Sequence, residues 1–167
     1  MIAILVVCGL VALQRLIELR YAARNTRALL ARGAVETGVA HYPFFILLHG
    51  SWLLCTATVA LATHARANWW LIGLFGILQA ARIWVMATLG PYWTTRLISL
   101  PDAPLVRSGP FRFVRHPNYS IVTIEIATLP LAFGEYPVAI AFTVLNLALL
   151  AVRIREEERA LANRPSG

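Results

Sequence analysis

Two short polar runs carry the side chains best suited to chemistry. The first is Arg115-His116-Pro117-Asn118-Tyr119, preceded by Gly109-Pro110-Phe111-Arg112. The second is Arg153-x-x-x-Glu157-Glu158-x-x-Leu161. One offers a fixed cation, an imidazole and a phenol; the other offers a guanidinium and carboxylates. Such groups can hold a charged small molecule and accept a proton. Each run abuts a hydrophobic stretch long enough to enter a bilayer. Only two such stretches, joined by a tight turn, separate the runs, so both are expected at one membrane face. Ionisable groups kept against lipid are costly and mark function.

Local rules sharpen both runs. Pro117 suits the first turn of a helix, where its missing N–H costs nothing, which sets His116 at the cap and Tyr119 one turn inside. A spacing of four places Arg153 and Glu157 on one helix face, where they can pair. An interfacial anchor belt and a solvated, salt-bridged helix end are the plainer readings of these residues taken singly. Glu125, six residues beyond Tyr119, is a third candidate. A carboxylate in a membrane helix costs about 2.5–3.5 kcal/mol unless paired or neutral. It is either a proton acceptor or a packing group with Arg15, Arg82 or Gln14 as partner. Glu18 with Arg15 reads first as an intrahelical pair. His41, His49 and His64 have no metal-ligand spacing and read as core histidines, and Cys8 and Cys55 as small core residues. Nothing suggests a metal, and no Gly-x-Gly-x-x-Gly or Walker loop is present.

The positioning elements follow from composition. The chain has 167 residues, 59% hydrophobic and 14% charged, with mean hydropathy +0.67. Soluble domains are about 45–50% apolar and about 25% charged, so an integral membrane protein is expected. Five helices are predicted, at 2–18, 42–63, 68–89, 118–133 and 136–153. The second and third comfortably match the roughly 20 residues of a full span, and the others need polar ends. The first run lacks the positive flank of a signal peptide and is expected to stay as a helix. The formal charge is +7, and every basic residue is Arg. These lie in loops beside apolar runs, which points to lipid headgroups and topology, not nucleic acid. Twelve of the fifteen fall in 19–41, 90–117 and the tail, so the N-terminus is expected outside and the C-terminus in the cytoplasm of a bacterial inner membrane.

The 90–117 connection holds five of the nine prolines. It is expected to be ordered, non-helical and packed on the cytoplasmic face. Gly134-Glu135-Tyr136-Pro137 is expected to close a helical hairpin. The architecture predicted is an all-α membrane bundle of about five transmembrane helices in a single domain. Residues 1–89 supply three helices. Residues 90–167 supply a cytoplasmic site built from the loop, the last hairpin and the C-terminal segment.

On these two motifs, the chain resembles the isoprenylcysteine carboxyl methyltransferase family of membrane methyltransferases over about residues 80–162. Arg24-Asn25-Thr26-Arg27, Arg32-Gly33-Ala34-Val35-Glu36 and His41-Tyr42-Pro43 resemble a bacterial branch of it. Some members of that branch are similar to enzymes that O-methylate long-chain polyketides such as alkylpyrones and alkylresorcinols. The resemblance implies S-adenosylmethionine as methyl donor. It places His116, Pro117, Tyr119 and Glu158 at that cofactor, with Arg153 and Glu157 near the acceptor. Many relatives carry Gly two positions after the Tyr; Ile121 stands here, which argues against a carboxyl acceptor.

Elementary chemistry runs parallel to the resemblance. A sulfonium wants negative or π-rich surroundings, which Glu157, Glu158 and Tyr119 offer. The donor's carboxylate wants cations or N–H groups, which Arg115 and the helix start offer. A lipophilic acceptor would enter from the bilayer, with Glu157 or Glu125 taking its proton. Phospholipid N-methylation is the alternative enzyme. A small transporter or membrane-assembly subunit, with Arg15, Glu18, Arg82 and Glu125 as its network, is the alternative outside enzymes.

Overall fold

A computed structural model describes residues 1–100 and 106–162, the last three by backbone only. It contains five α-helices: α1 (Ile2–Leu30), α2 (Tyr42–Ala62), α3 (Trp69–Leu89), α4 (Pro117–Ala132) and α5 (Tyr136–Ala162). The three central helices begin and end within about a residue of expectation. Their signals are local. Asn68 caps α3, its Oδ1 accepting from Trp70 N and Leu71 N, as an N-cap should. Pro117 sits in the first turn of α4, where the missing N–H is harmless. Gly90, at φ 50°, ends α3 just before Pro91.

The outer helices overrun their predicted ends. α1 runs on to Leu30, so Arg20, Arg24 and Arg27 lie on helix and not in a loop. α5 continues beyond Arg153 through Glu156, Glu157 and Glu158. The α1 extension is rich in Ala, Leu and Arg, and the α5 extension in Arg, Glu and Ala, all good helix formers. Hydropathy ended where lipid should end; helix propensity does not. At 1.5 Å per residue α1 is about 44 Å long, longer than a hydrocarbon core of about 30 Å. Four helices among the described residues are long and apolar enough to cross a membrane. α4, with 16 residues, is the fifth and shorter one, about 24 Å.

α4 is the inner helix, packed against α3 and α5. Its Val122, Ile126 and Leu129 join Ile4, Cys8 and Val11 of α1, Leu48 and Trp52 of α2, and Phe75 of α3 in one core. Trp52 Nε1 donates to Ile126 O at 3.0 Å, satisfying a buried donor. Leu13, Leu54, Ile77 and Ile140 point outward and exposed, a surface suited to acyl chains. At one end the two helical turns lie side by side: Asn68 N donates to Ala132 O at 2.7 Å, and Thr63 Oγ1 to Glu135 Oε1 at 3.0 Å.

The opposite end holds a feature the sequence reading lacked. β1 (Val35–Thr37) and β2 (Leu97–Ser99) form a two-stranded antiparallel ribbon, with Val35 opposite Ser99. The proline-rich connection is ordered at both ends as 3-10 turns, Gly90–Tyr92 and Gly109–Arg112, with β2 between them. Pro101, Pro104 and Arg164, along with the Leu161 side chain, lie outside the described part.

Candidate functional site

Four helices, α1, α3, α4 and α5, and the ribbon converge on a cavity of about 1010 Å³. Cross-links fix that end. Asn25 Nδ2 on α1 donates to Gly90 O and Trp93 O at 3.1 and 2.9 Å, and Tyr42 on α2 hydrogen-bonds Thr95 at 3.0 Å. One wall is polar, with residues 115–119, Arg153, Glu157 and Glu158. The other is largely apolar, with Leu29, Leu89, Trp93, Leu97 and Ile98.

The two motifs meet on the polar wall. α4 begins so that Tyr119, one turn in, points at α5. Its hydroxyl donates to Glu157 Oε2 at 2.8 Å and accepts from Arg153 Nε at 2.9 Å. The direct Arg153–Glu157 pair expected from helical spacing is therefore replaced by a bridge through Tyr119. Its phenol takes the donor that Glu157 would otherwise have met. The His116 ring stacks on Tyr119 at 5.2 Å and 11°; its Nδ1 lies 3.7 Å from Glu157 Oε2. Arg153 is 9% exposed and lies over two rings, Phe45 at 5.3 Å and Tyr119 at 5.6 Å.

Arg115, Pro117 and Glu158 also line the cavity. Asn118, quoted within the motif but given no role, lines it too, with a buried Oδ1 that has no hydrogen-bond partner among the described residues. Trp93 was missed altogether, and its buried Nε1 is likewise unpartnered among them. The ribbon edges the cavity at Thr37 and Leu97–Ser99. It is held by Arg96, which donates to both Glu36 oxygens at 2.9 and 3.1 Å and covers the Tyr42 ring at 4.7 Å. The Glu36 bond raises the Arg96 pKa. The Gly109 turn approaches α3 so closely that a Cβ there would meet Thr88 Oγ1 at 2.6 Å, at a φ of +56°.

Glu125, the alternative proton acceptor, does not line this cavity. Six residues turn the helix about 120° away from the Tyr119 face and carry it about 9 Å deeper. There Glu125, 1% exposed, accepts from Arg15 at 2.6 Å, Arg82 at 3.5 Å and Gln79 at 2.8 Å. Glu18 accepts from Arg15, Arg82 and Gln14 at 2.9 to 3.0 Å. The group has two positive and two negative charges, and every carboxylate oxygen is partnered. Gln14 reaches Glu18 and Gln79, not Glu125. Nearby, His49 Nδ1 bonds Phe45 O at 2.8 Å, as a satisfied core histidine does.

Comparison with known proteins adds three findings. The family model for isoprenylcysteine carboxyl methyltransferases matches residues 70–163. An uncharacterised Bacillus subtilis protein, YpbQ, is 37% identical over 165 residues, covering 96% of this chain and 94% of its own. An uncharacterised Haemophilus influenzae protein is 29% identical over 156 residues, covering 89% of each. No solved structure matches.

Proposed function

The chain belongs to the isoprenylcysteine carboxyl methyltransferase family of membrane methyltransferases. From that premise we propose that it transfers a methyl group from S-adenosylmethionine to an oxygen of a lipophilic acceptor. The observation that carries this is the Arg153–Tyr119–Glu157 bridge, roofed by His116, on the polar wall of a two-faced cavity.

The residues fit such a donor. The volume reaches the upper end of the roughly 300–1,000 Å³ of ligand sites, room for a nucleoside donor and an acceptor head. Asn118 Oδ1 is a buried acceptor without a partner among the described residues, and buried polar groups are rarely left so. When bound, S-adenosylmethionine supplies an electrophilic methyl on a sulfonium sulfur. Glu157, Glu158 and the Tyr119 face suit that positive charge. Arg115 and the free N–H groups at the start of α4 suit its carboxylate. His116 and Pro117 shape the entry to that helix.

Arg153, whose terminal nitrogens make no hydrogen bond among the described residues, orients the acceptor oxygen. Glu157 takes the proton a hydroxyl acceptor gives up, leaving Tyr119 as the group that positions both. Alignment and exclusion of water supply much of the rate in such transfers, and the ribbon is placed to exclude water. The acceptor class is a long-chain polyketide hydroxyl, with a prenylcysteine-like carboxylate second. The arginines at the cavity end support an orientation with that end in the cytoplasm of an inner membrane and the N-terminus outside. The closed charge group around Glu125 favours packing over a transport path, since no carboxylate oxygen is left for cargo.

The test offers purified protein in nanodiscs deuteromethyl-labelled donor with a long-chain hydroxypyrone, a prenylcysteine and phosphatidylethanolamine. Label on oxygen of either of the first two is expected. Label only on the phosphatidylethanolamine nitrogen would replace this reading by N-methylation, and no label at all would remove it.

A further inference from the structure

We propose that Trp93 is a specificity-determining residue, whose indole N–H donates to the oxygen of the methyl acceptor and so selects oxygen acceptors over amines. This rests on the methyltransferase reading above. Trp93 lies on the apolar wall of the cavity and is 3% exposed, yet its Nε1 has no hydrogen-bond partner among the described residues. An indole only donates, and a buried donor normally finds an acceptor. Trp52, the other fully enclosed tryptophan, has one in Ile126 O.

The residue is held by its backbone, by Arg82 and by apolar neighbours. Its backbone N–H donates to Gly90 O at 3.1 Å, and its carbonyl accepts from Asn25 at 2.9 Å. Arg82 lies over its face at 5.8 Å, itself held by Glu18 at 2.9 Å. Ala22 and Val85 are buried against it, with Ile121 and Phe111 packed around them. The buried charge group thus doubles as the mounting of the indole. A donor fixed in this way is preorganised for a partner that arrives from outside the chain.

Chemistry decides what that partner is. The polar wall, with its carboxylates and stacked rings, suits the methyl donor, whereas Trp93 shares its wall with Leu29, Leu89, Leu97 and Ile98. That wall suits the alkyl part of a lipophilic acceptor, with the head oxygen set against the Trp93 N–H. A neutral amine has a single lone pair, which methylation consumes, leaving nothing for the indole to bond. A phenolate, enolate or carboxylate oxygen keeps a further lone pair while another attacks. The fixed N–H therefore rewards oxygen and leaves an amine facing an unpaired donor.

Proton–nitrogen NMR of indole-labelled protein in nanodiscs tests this. The chain has five tryptophans, and Trp93→Phe, which keeps an aromatic side chain and loses the indole N–H, identifies the signal. Binding of S-adenosylhomocysteine is measured on the same samples. The Trp93 signal should stay in place with S-adenosylhomocysteine alone. It should move downfield when a long-chain hydroxypyrone or decanoate is added, and stay with decylamine, which at neutral pH is an ammonium ion with no lone pair to offer. Trp93→Phe should bind S-adenosylhomocysteine normally and show at least a tenfold higher KM for the acceptor. The proposal is overturned if S-adenosylhomocysteine alone moves the signal, if decylamine moves it equally, or if neither oxygen probe moves it in protein that binds S-adenosylhomocysteine. If S-adenosylhomocysteine does not bind, the methyltransferase reading itself fails and this proposal falls with it. The measurement on unaltered protein decides even if Trp93→Phe folds poorly.

Discussion

Glu125→Gln keeps shape and removes one of two negative charges from a group that also holds two guanidinium ions. Glu125 is 1% and Arg82 6% exposed, so water screens little of the change. The bond from Arg15 is 2.6 Å and that from Arg82 3.5 Å, so Arg15 loses the closer partner. Breaking a buried pair by removing one member costs about 3–5 kcal/mol, two to three and a half powers of ten in the folding equilibrium at about 1.4 kcal/mol per power. Adding Arg15→Gln restores neutrality, and coupled neighbours of this kind return about 0.5–3 kcal/mol. Denaturation by SDS in mixed micelles, followed by circular dichroism, reads both quantities. The folded fraction of Glu125→Gln should bind S-adenosylhomocysteine as the unaltered protein does. A variant that unfolds at the normal SDS fraction yet has lost turnover would refute this reasoning and return Glu125 to the chemistry.

Tyr119→Phe keeps the ring under His116 but removes the hydroxyl joining Arg153 to Glu157. Hydrogen bonds to charged groups contribute about 1.5–3 kcal/mol, so kcat/KM should fall about 10- to 150-fold with the fold retained. Gly109→Ala should destabilise by about 1–2 kcal/mol from its left-handed backbone alone. The loss should be larger from the Thr88 contact, with part of it returned in combination with Thr88→Ala, as thermal unfolding would show. Arg96→Ala breaks a largely exposed pair with Glu36 and should cost no more than about 1 kcal/mol, a loss that shrinks as salt is added.

Much of this architecture is written locally. Asn68, Gly90 and Pro117 mark helix ends by short-range rules, and α2 to α4 begin and end near those marks. α1 and α5 ran past their expected ends because an apolar count measures bilayer thickness, whereas Arg, Ala and Glu sustain a helix in water as well. The ribbon was illegible for another reason. Val35–Thr37 and Leu97–Ser99 are three residues each, too short to show alternation, and they pair across some sixty residues.

At the site, residues 115–119 and 153–158 could be read from type and spacing, down to the meeting of the two runs. The Tyr119 bridge could not, since spacing of four predicts a pair and cannot see a third side chain between. Glu125 looked equally suited to catalysis or packing until Arg15, Arg82 and Gln79 were seen around it. Trp93 gave no signal: one of five tryptophans beside a membrane span reads as an interface anchor, and only an unpaired N–H at a cavity sets it apart.

The most direct measurement is calorimetric binding of S-adenosylhomocysteine to the purified protein, alongside His116→Ala and Glu158→Gln. The account predicts saturable one-to-one binding that both variants weaken while remaining folded. A folded protein that shows no binding, or variants that bind as tightly as the original, would contradict it.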